Sequence, residues 1–161
     1  MKKIIAFILL GVLGVNCSNR DDGDIDCALF DPAFPALYVR IIDNEGVNVF
    51  EKGTIDSESI RVEGDFSSAG FQFIPAKENV NPDAEIRKLD NTINLSIPNQ
   101  STFRYTIHLD GFEAINLDFT AELTEIPCGI AYFKPAEVNH IAEEVEMGSI
   151  SPLQYLVVVQ L

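Results

Sequence analysis

Between residues 92 and 126 the apolar side chains fall on alternate positions. Ile93, Leu95 and Ile97 come first, then Phe103, Tyr105, Ile107 and Leu109, then Ile115, Leu117, Phe119, Ala121 and Leu123. Asn94, Ser96, Arg104, Thr106, His108, Asn116, Asp118, Thr120 and Glu122 fill the places between. A period of two over this length means strands with one face on a core and one in water. The stretch reads as an antiparallel meander. One-face apolarity also sets the register, because a one-residue slip turns every side chain over. It pairs Ile107 with Ile115, Tyr105 with Leu117 and Phe103 with Phe119, and puts Arg104 opposite Asp118. A two-residue Asp110-Gly111 turn would give the wrong parity. The expectation is a three-residue loop with Gly111 left-handed, or a bulge near Phe112–Ala114. The same parity pairs Ile97 with Phe103 across an odd loop at Pro98–Thr102.

The rest of the chain supplies short strands broken by turn residues. Leu37–Ile42 reads as a strand, Asp43-Asn44-Glu45-Gly46 as a turn and Val47–Phe50 as the partner. This strand, D-x-x-G, strand pattern resembles the opening hairpin of transthyretin-like and immunoglobulin-like sandwich modules. Gly53–Ile55, Ser59–Glu63, Phe71–Ile74 and Gly129–Phe133 look like further strands. Pro75–Asn91 is the longest break. Asn81-Pro82-Asp83-Ala84-Glu85 has a helix-start signature, with Asn as cap, Pro in the first turn and acids after it. Ile86 and Leu89 are spaced to face the core together, so at most one short helix is expected near 82–89. Pro135–Gly148 reads as acidic and broken. The apolar run Leu153–Leu161 must be paired inside a sheet, or it would be an aggregation site. Eight or nine short strands predict an all-β, two-sheet antiparallel sandwich, a single domain over residues 28–161.

The start of the chain has a different pattern. Lys2 and Lys3 precede Ile4–Val15, a run of twelve residues without charge. That is a secretory signal over residues 1–16, too short for a span of about 18–20 residues. Leu13-Gly14-Val15-Asn16-Cys17 resembles a bacterial lipobox, although Asn16 stands where Gly, Ala or Ser is usual. The resemblance implies that Cys17 becomes the lipid-modified first residue, with the bilayer as partner through the acyl chains. Several chains hold a protein on a membrane stably where one does not. Residues 17–27 then form an acidic tether. Asp21, Asp22, Asp24 and Asp26 lack the bidentate Glu of a calcium loop.

Three cysteines are present, Cys17, Cys27 and Cys128. With Cys17 lipidated, Cys27 and Cys128 remain to pair in an oxidising compartment. The alternative is a Cys17–Cys27 bridge with Cys128 buried and reduced. Removing residues 1–16 takes away Lys2 and Lys3 and no acid, so the formal charge moves from −14 to −16. Phosphate binding needs a basic footprint, so nucleic acid is excluded as a partner. Anionic headgroups would repel such a chain, which leaves the holding to the acyl anchor.

Chemistry is sparse. The two histidines are His108, on the outward face of a strand, and His140, in a loop. Neither sits in an H-x-H, H-x-x-x-H or C-x-x-C spacing, so no metal site is expected. There is no G-x-S-x-G elbow and no phosphate-cradling glycine pair. No catalytic residue, cofactor or enzyme activity is expected. Asn94-Leu95-Ser96 and Asn99-Gln100-Ser101 match the glycosylation sequon by chance.

Three stretches carry a wider likeness: Cys17 with its acidic follow-on, DCALFDPAFPALYVRIIDNEGVNVF, and IPCGIAYFKP with the ending ISPLQYLVVVQL. Together they resemble small lipoproteins of Bacteroidota-type bacteria. The resemblance implies an outer-membrane or cell-surface location and a β-sandwich, and brings no activity with it. Two readings follow. One is a non-catalytic binding or structural module that meets a protein partner. The other is a glycan or small-nutrient binding lipoprotein accompanying an outer-membrane transporter. The second draws on Phe34, Tyr38, Phe71, Tyr132 and Tyr155, and predicts exposed aromatics on one loop face.

Overall fold

A computed structural model describes residues 25–81, 83–141 and 143–161. The signal segment 1–16, the lipid-bearing Cys17 and most of the acidic tether lie outside the described residues. Ile25–Phe30 belongs to one unit and Asp31–Leu161 to another. In the first, Asp26 closes a turn, its carboxylate accepting from Ala28 N at 3.0 Å and its carbonyl from Leu29 N at 2.9 Å.

The second unit is a two-sheet sandwich of ten strands. They are β1 (Ala36–Ile42), β2 (Arg61–Gly64), β3 (Phe71–Ile74), β4 (Thr92–Leu95), β5 (Thr102–His108), β6 (Ile115–Ile126), β7 (Ile130–His140), β8 (Glu143–Glu144), β9 (Met147–Ser151) and β10 (Gln154–Gln160). One sheet has the order β3-β4-β1-β10-β9 and the other β2-β5-β6-β7-β8. Between them lies a core of alternating residues, Leu37, Val39 and Ile41 of β1 and Val157 and Val159 of β10 against Tyr105, Ile107, Leu117 and Phe119. Burying each such side chain is worth about 1.5–3 kcal/mol. Phe103 stacks on Phe119 with centroids 4.8 Å apart, and Phe66 meets Tyr105 edge-on at 5.2 Å.

The β5–β6 pair has the register that alternation predicts. Phe103 faces Phe119, Tyr105 faces Leu117 and Ile107 faces Ile115. Arg104 Nε donates to Asp118 on the wet face. Gly111 is left-handed at φ 82°, in a turn closed by Phe112 N donating to Leu109 O. Residues 112–114 then continue irregularly to β6, so the loop is longer than three residues while the parity holds.

Other expectations are corrected. The meander does not extend back to Thr92. Strand β4 pairs with β1 and β3 in the other sheet, so Ile97 does not face Phe103. Pro98 lacks an N–H for a ladder, and the chain crosses there from one sheet to the other. The sandwich is not wholly antiparallel, because β1 and β10 run parallel, Val39 beside Val157. Val47–Phe50 contributes one bridge, Ile42 to Asn48, instead of a strand. Buried Asn48 replaces the ladder with side-chain bonds, donating to Asn91 O and accepting from Phe50 N, each at 2.9 Å. Gly53–Ile55 is a turn and not a strand. Pro135–His140 continues β7, with a register shift at Thr120/Ala121 that accommodates Pro135. His140 therefore ends a strand instead of lying in a loop.

The expected helix near 82–89 is a 3-10 turn, Glu85–Leu89, whose cap position is Ala84. Asn81 instead shapes the preceding turn, accepting from Asp83 N at 3.1 Å. Ile86 and Leu89 do face one surface together. It is not the central core but the outer face of the first sheet, where they pack with Tyr38 and Leu156. The C-terminal run is paired inside a sheet as expected, with β1 on one side and β9 on the other.

Tyr105 ties the crossover to the core. Its ring has no exposed surface, and its hydroxyl donates to Ser96 O at 2.7 Å. Burial pushes that hydroxyl up to about 12, from an ordinary 10.0. Below the unfolded value both states hold the proton, so this contribution to stability is full there. It is lost as pH rises from 10.0 toward about 12, where the unfolded chain ionises first. Urea midpoints measured across that range are expected to fall, with a shallower fall in Tyr105→Phe.

Candidate functional site

Chemistry-bearing side chains are dispersed over the sandwich. Among the described residues no three His, Cys, Asp or Glu come close enough to hold a metal ion. His108 Nε2 stands 3.9 Å from Glu63 on the outer face of the second sheet, and His140 Nδ1 lies 2.8 Å from Asn116 O. A three-residue charged group, Lys52 with Asp43 at 2.8 Å and Glu45 at 2.9 Å, clamps the turn after β1. The Lys52 ammonium, with the Val47 N–H, holds the Asp43 carboxyl below its usual range, and Asp43 and Glu45 raise Lys52 in turn. Gly46 closes that turn at φ 78°, and Asp43 Oδ1 accepts from Glu45 N and Val47 N. These groups are paired with one another around a bend and point at no common space.

Cys27 and Cys128 are disulfide-bonded. The pairing expected from counting is present, and the bridge cysteine Cys128 sits at the tip of the β6–β7 hairpin, where Ile126 faces Ile130. Cys128 and Gly129 both take positive φ there, 69° and 67°.

A groove at one end of the sandwich has the form of a binding site. Phe34 and Pro35 enter just before β1, Ile97 and Pro98 belong to the sheet crossover, and Tyr132 and Phe133 lie on β7. Together with Asn99 they line a cavity of about 200 Å³. Phe34 and Tyr132 meet edge-on with centroids 6.1 Å apart, and Phe34 is 56% exposed. The two prolines fix the backbone φ at positions 35 and 98 of its wall. Aromatic faces beside one amide can stack on the C–H face of a sugar or on an apolar side chain.

Of the five aromatics considered from sequence, Phe34 and Tyr132 come together. Phe71 is exposed on the edge strand β3, while Tyr38 and Tyr155 are buried. Ile97, Pro98 and Asn99 escaped the reading of the sequence because the segment passes for a hairpin loop. The only signal available was the pair of X-Pro steps, 34–35 and 97–98. No helix of the described residues is long and apolar enough to cross a membrane. No protein-family model, no curated protein and no solved structure matches this chain.

Proposed function

We propose that the chain is a bacterial lipoprotein, anchored to the outer membrane or cell surface through acyl chains on Cys17. Its domain is a non-catalytic binding or structural module. The observation that carries the reading is the Cys27–Cys128 disulfide. Disulfides persist in exported proteins and are rare in reducing compartments, so the oxidised pair and the charged-then-apolar start point the same way. A formal charge of −14 on the whole chain gives no electrostatic hold on anionic lipid, so the reading assigns membrane attachment to the acyl chains.

The groove at Phe34 and Tyr132 favours a second reading, a glycan or small-nutrient binding lipoprotein. Exposed aromatic surface beside Asn99 is the chemistry that such ligands use.

Cell fractionation and surface labelling test the first reading. Cys17→Ser is expected to move the protein from the membrane to the soluble fraction and to abolish labelling on intact cells. Unchanged membrane retention of that variant would refute the anchor. Screening the wild type and Phe34→Ala against immobilised glycans tests the second. Binding lost in the variant supports it, and the absence of any bound glycan removes it.

A further inference from the structure

The outer face of the first sheet carries a separate cavity. In β1 and β10 the odd-numbered residues enter the central core, and the even-numbered ones face outward. The parallel register sets Arg40 beside Val158 and Tyr38 beside Leu156. Segment 75–91 covers half of this face through Leu89 and Ile86, packed on Tyr38 and Leu156. Beside these contacts lies a shallow, open groove of about 520 Å³. Its floor is Ile42, Leu156 and Val158, and its cations are Arg40, Arg87 and Lys88. Small-molecule sites are mostly apolar clefts of about 300–1,000 Å³ with a few placed polar groups.

The cations are not equivalent. Arg87 is spent on its own loop, donating to Lys77 O at 2.9 Å and Val80 O at 3.2 Å, with Asp90 at 3.1 Å. Lys88 Nζ holds Glu85 at 2.7 Å. Among the described residues Arg40 meets Lys88 O in a long bond at 3.4 Å and a distant Glu51 at 3.9 Å. Yet its side chain is only 26% exposed. A guanidinium offers five donors in a planar fork suited to a carboxylate, and most of these have no close protein partner at Arg40. Three of the chain's eleven Lys and Arg line this one cavity, in a chain of formal charge −14. Against them stand Asp83 and Glu85 in the lining, with Glu51 and Asp90 beside Arg40 and Arg87.

We infer that this cavity binds a small amphiphilic monocarboxylate, its carboxylate on Arg40 and its apolar body on Ile42, Leu156 and Val158. One guanidinium fork without a close partner suits a single carboxylate and is too little charge for a polyphosphate. The inference does not depend on the anchor or on the aromatic groove.

Methyl NMR of the full chain, titrated with hexanoate, tests it. Saturable shifts at Ile42, Leu156 and Val158 are expected, with none from hexylamine at equal concentration. Arg40→Met, which keeps an aliphatic stem, is expected to weaken hexanoate at least tenfold. Val158→Glu sets a carboxylate beside Arg40 on an outward face, and is expected to block hexanoate even if Arg40→Met fails to fold. Hexanoate shifts that are absent or unsaturable would overturn the inference. So would hexanoate binding unchanged in either folded variant, equal binding of hexylamine, or the same shifts from inorganic phosphate at the same affinity.

Discussion

Val157→Asp is expected to leave no folded protein at 37 °C. Val157 has no exposed surface and lies in β10, which is paired on both sides, to Val39 of β1 and Met147 of β9. A carboxylate there has no partner in the apolar core. It must either lose its hydration as an ion or take up a proton, and each costs several kcal/mol. The lost apolar burial adds roughly 2 kcal/mol. That sum rivals a typical total stability of about 5–15 kcal/mol. Gln160→Asp, in the same strand at an exposed position, is the control and is expected to fold normally. Circular dichroism and limited proteolysis of both variants check the expectation. A cooperative thermal transition in Val157→Asp near that of the wild type would mean that β10 is not an interior strand of its sheet.

The second large effect comes from the disulfide. A bridge between Cys27 and Cys128 closes a loop of about 100 residues, for which chain entropy gives up to ~4.7 kcal/mol, with measured losses commonly 2–5 kcal/mol. Replacing both cysteines with serine is expected to lower Tm by roughly 10–15 °C. Adding reductant to the wild type should lower it to the same value. Because the bridge acts largely on the unfolded chain, the variant should still reach the same sandwich, with a native near-ultraviolet spectrum below its lower Tm. A Tm unchanged by reduction would show that the bridge contributes nothing to the domain.

Some of this architecture was legible in the sequence, and the limits have physical causes. Alternation says which face a side chain takes, so the β5–β6 register followed from parity alone. It does not say which sheet a strand joins, because both sheets send alternate residues into one core. Ile93 and Leu95 therefore look like partners of β5 while sitting across the core from it. The β1–β10 pair joins residues more than a hundred positions apart, as Val39 with Val157, and no local signal carries such a pairing. Pro135 reads as a strand breaker, but it is tolerated where the β6–β7 register shifts. The oxidised cysteine pair could be counted, and the Ile86–Leu89 spacing implied a shared apolar face, although that face lies on the outside of the first sheet and not in the central core. The Arg40 cavity could not be seen, since its walls come from β1, β10 and segment 75–91, and only the parallel pairing sets Arg40 beside Val158. The aromatic groove is half visible in the sequence: Phe34 and Tyr132 stand out as aromatics, but the crossover that forms one wall reads as a hairpin.

As proposed, the chain is exported, lipid-anchored and stapled by one disulfide. Intact mass of the protein from bacterial membranes, with and without reduction before alkylation, tests it most directly. The account predicts the mass of residues 17–161 plus acyl chains, with Cys27 and Cys128 alkylated only after reduction. A mass without acyl chains, or alkylation of Cys27 and Cys128 with no reductant present, would contradict it.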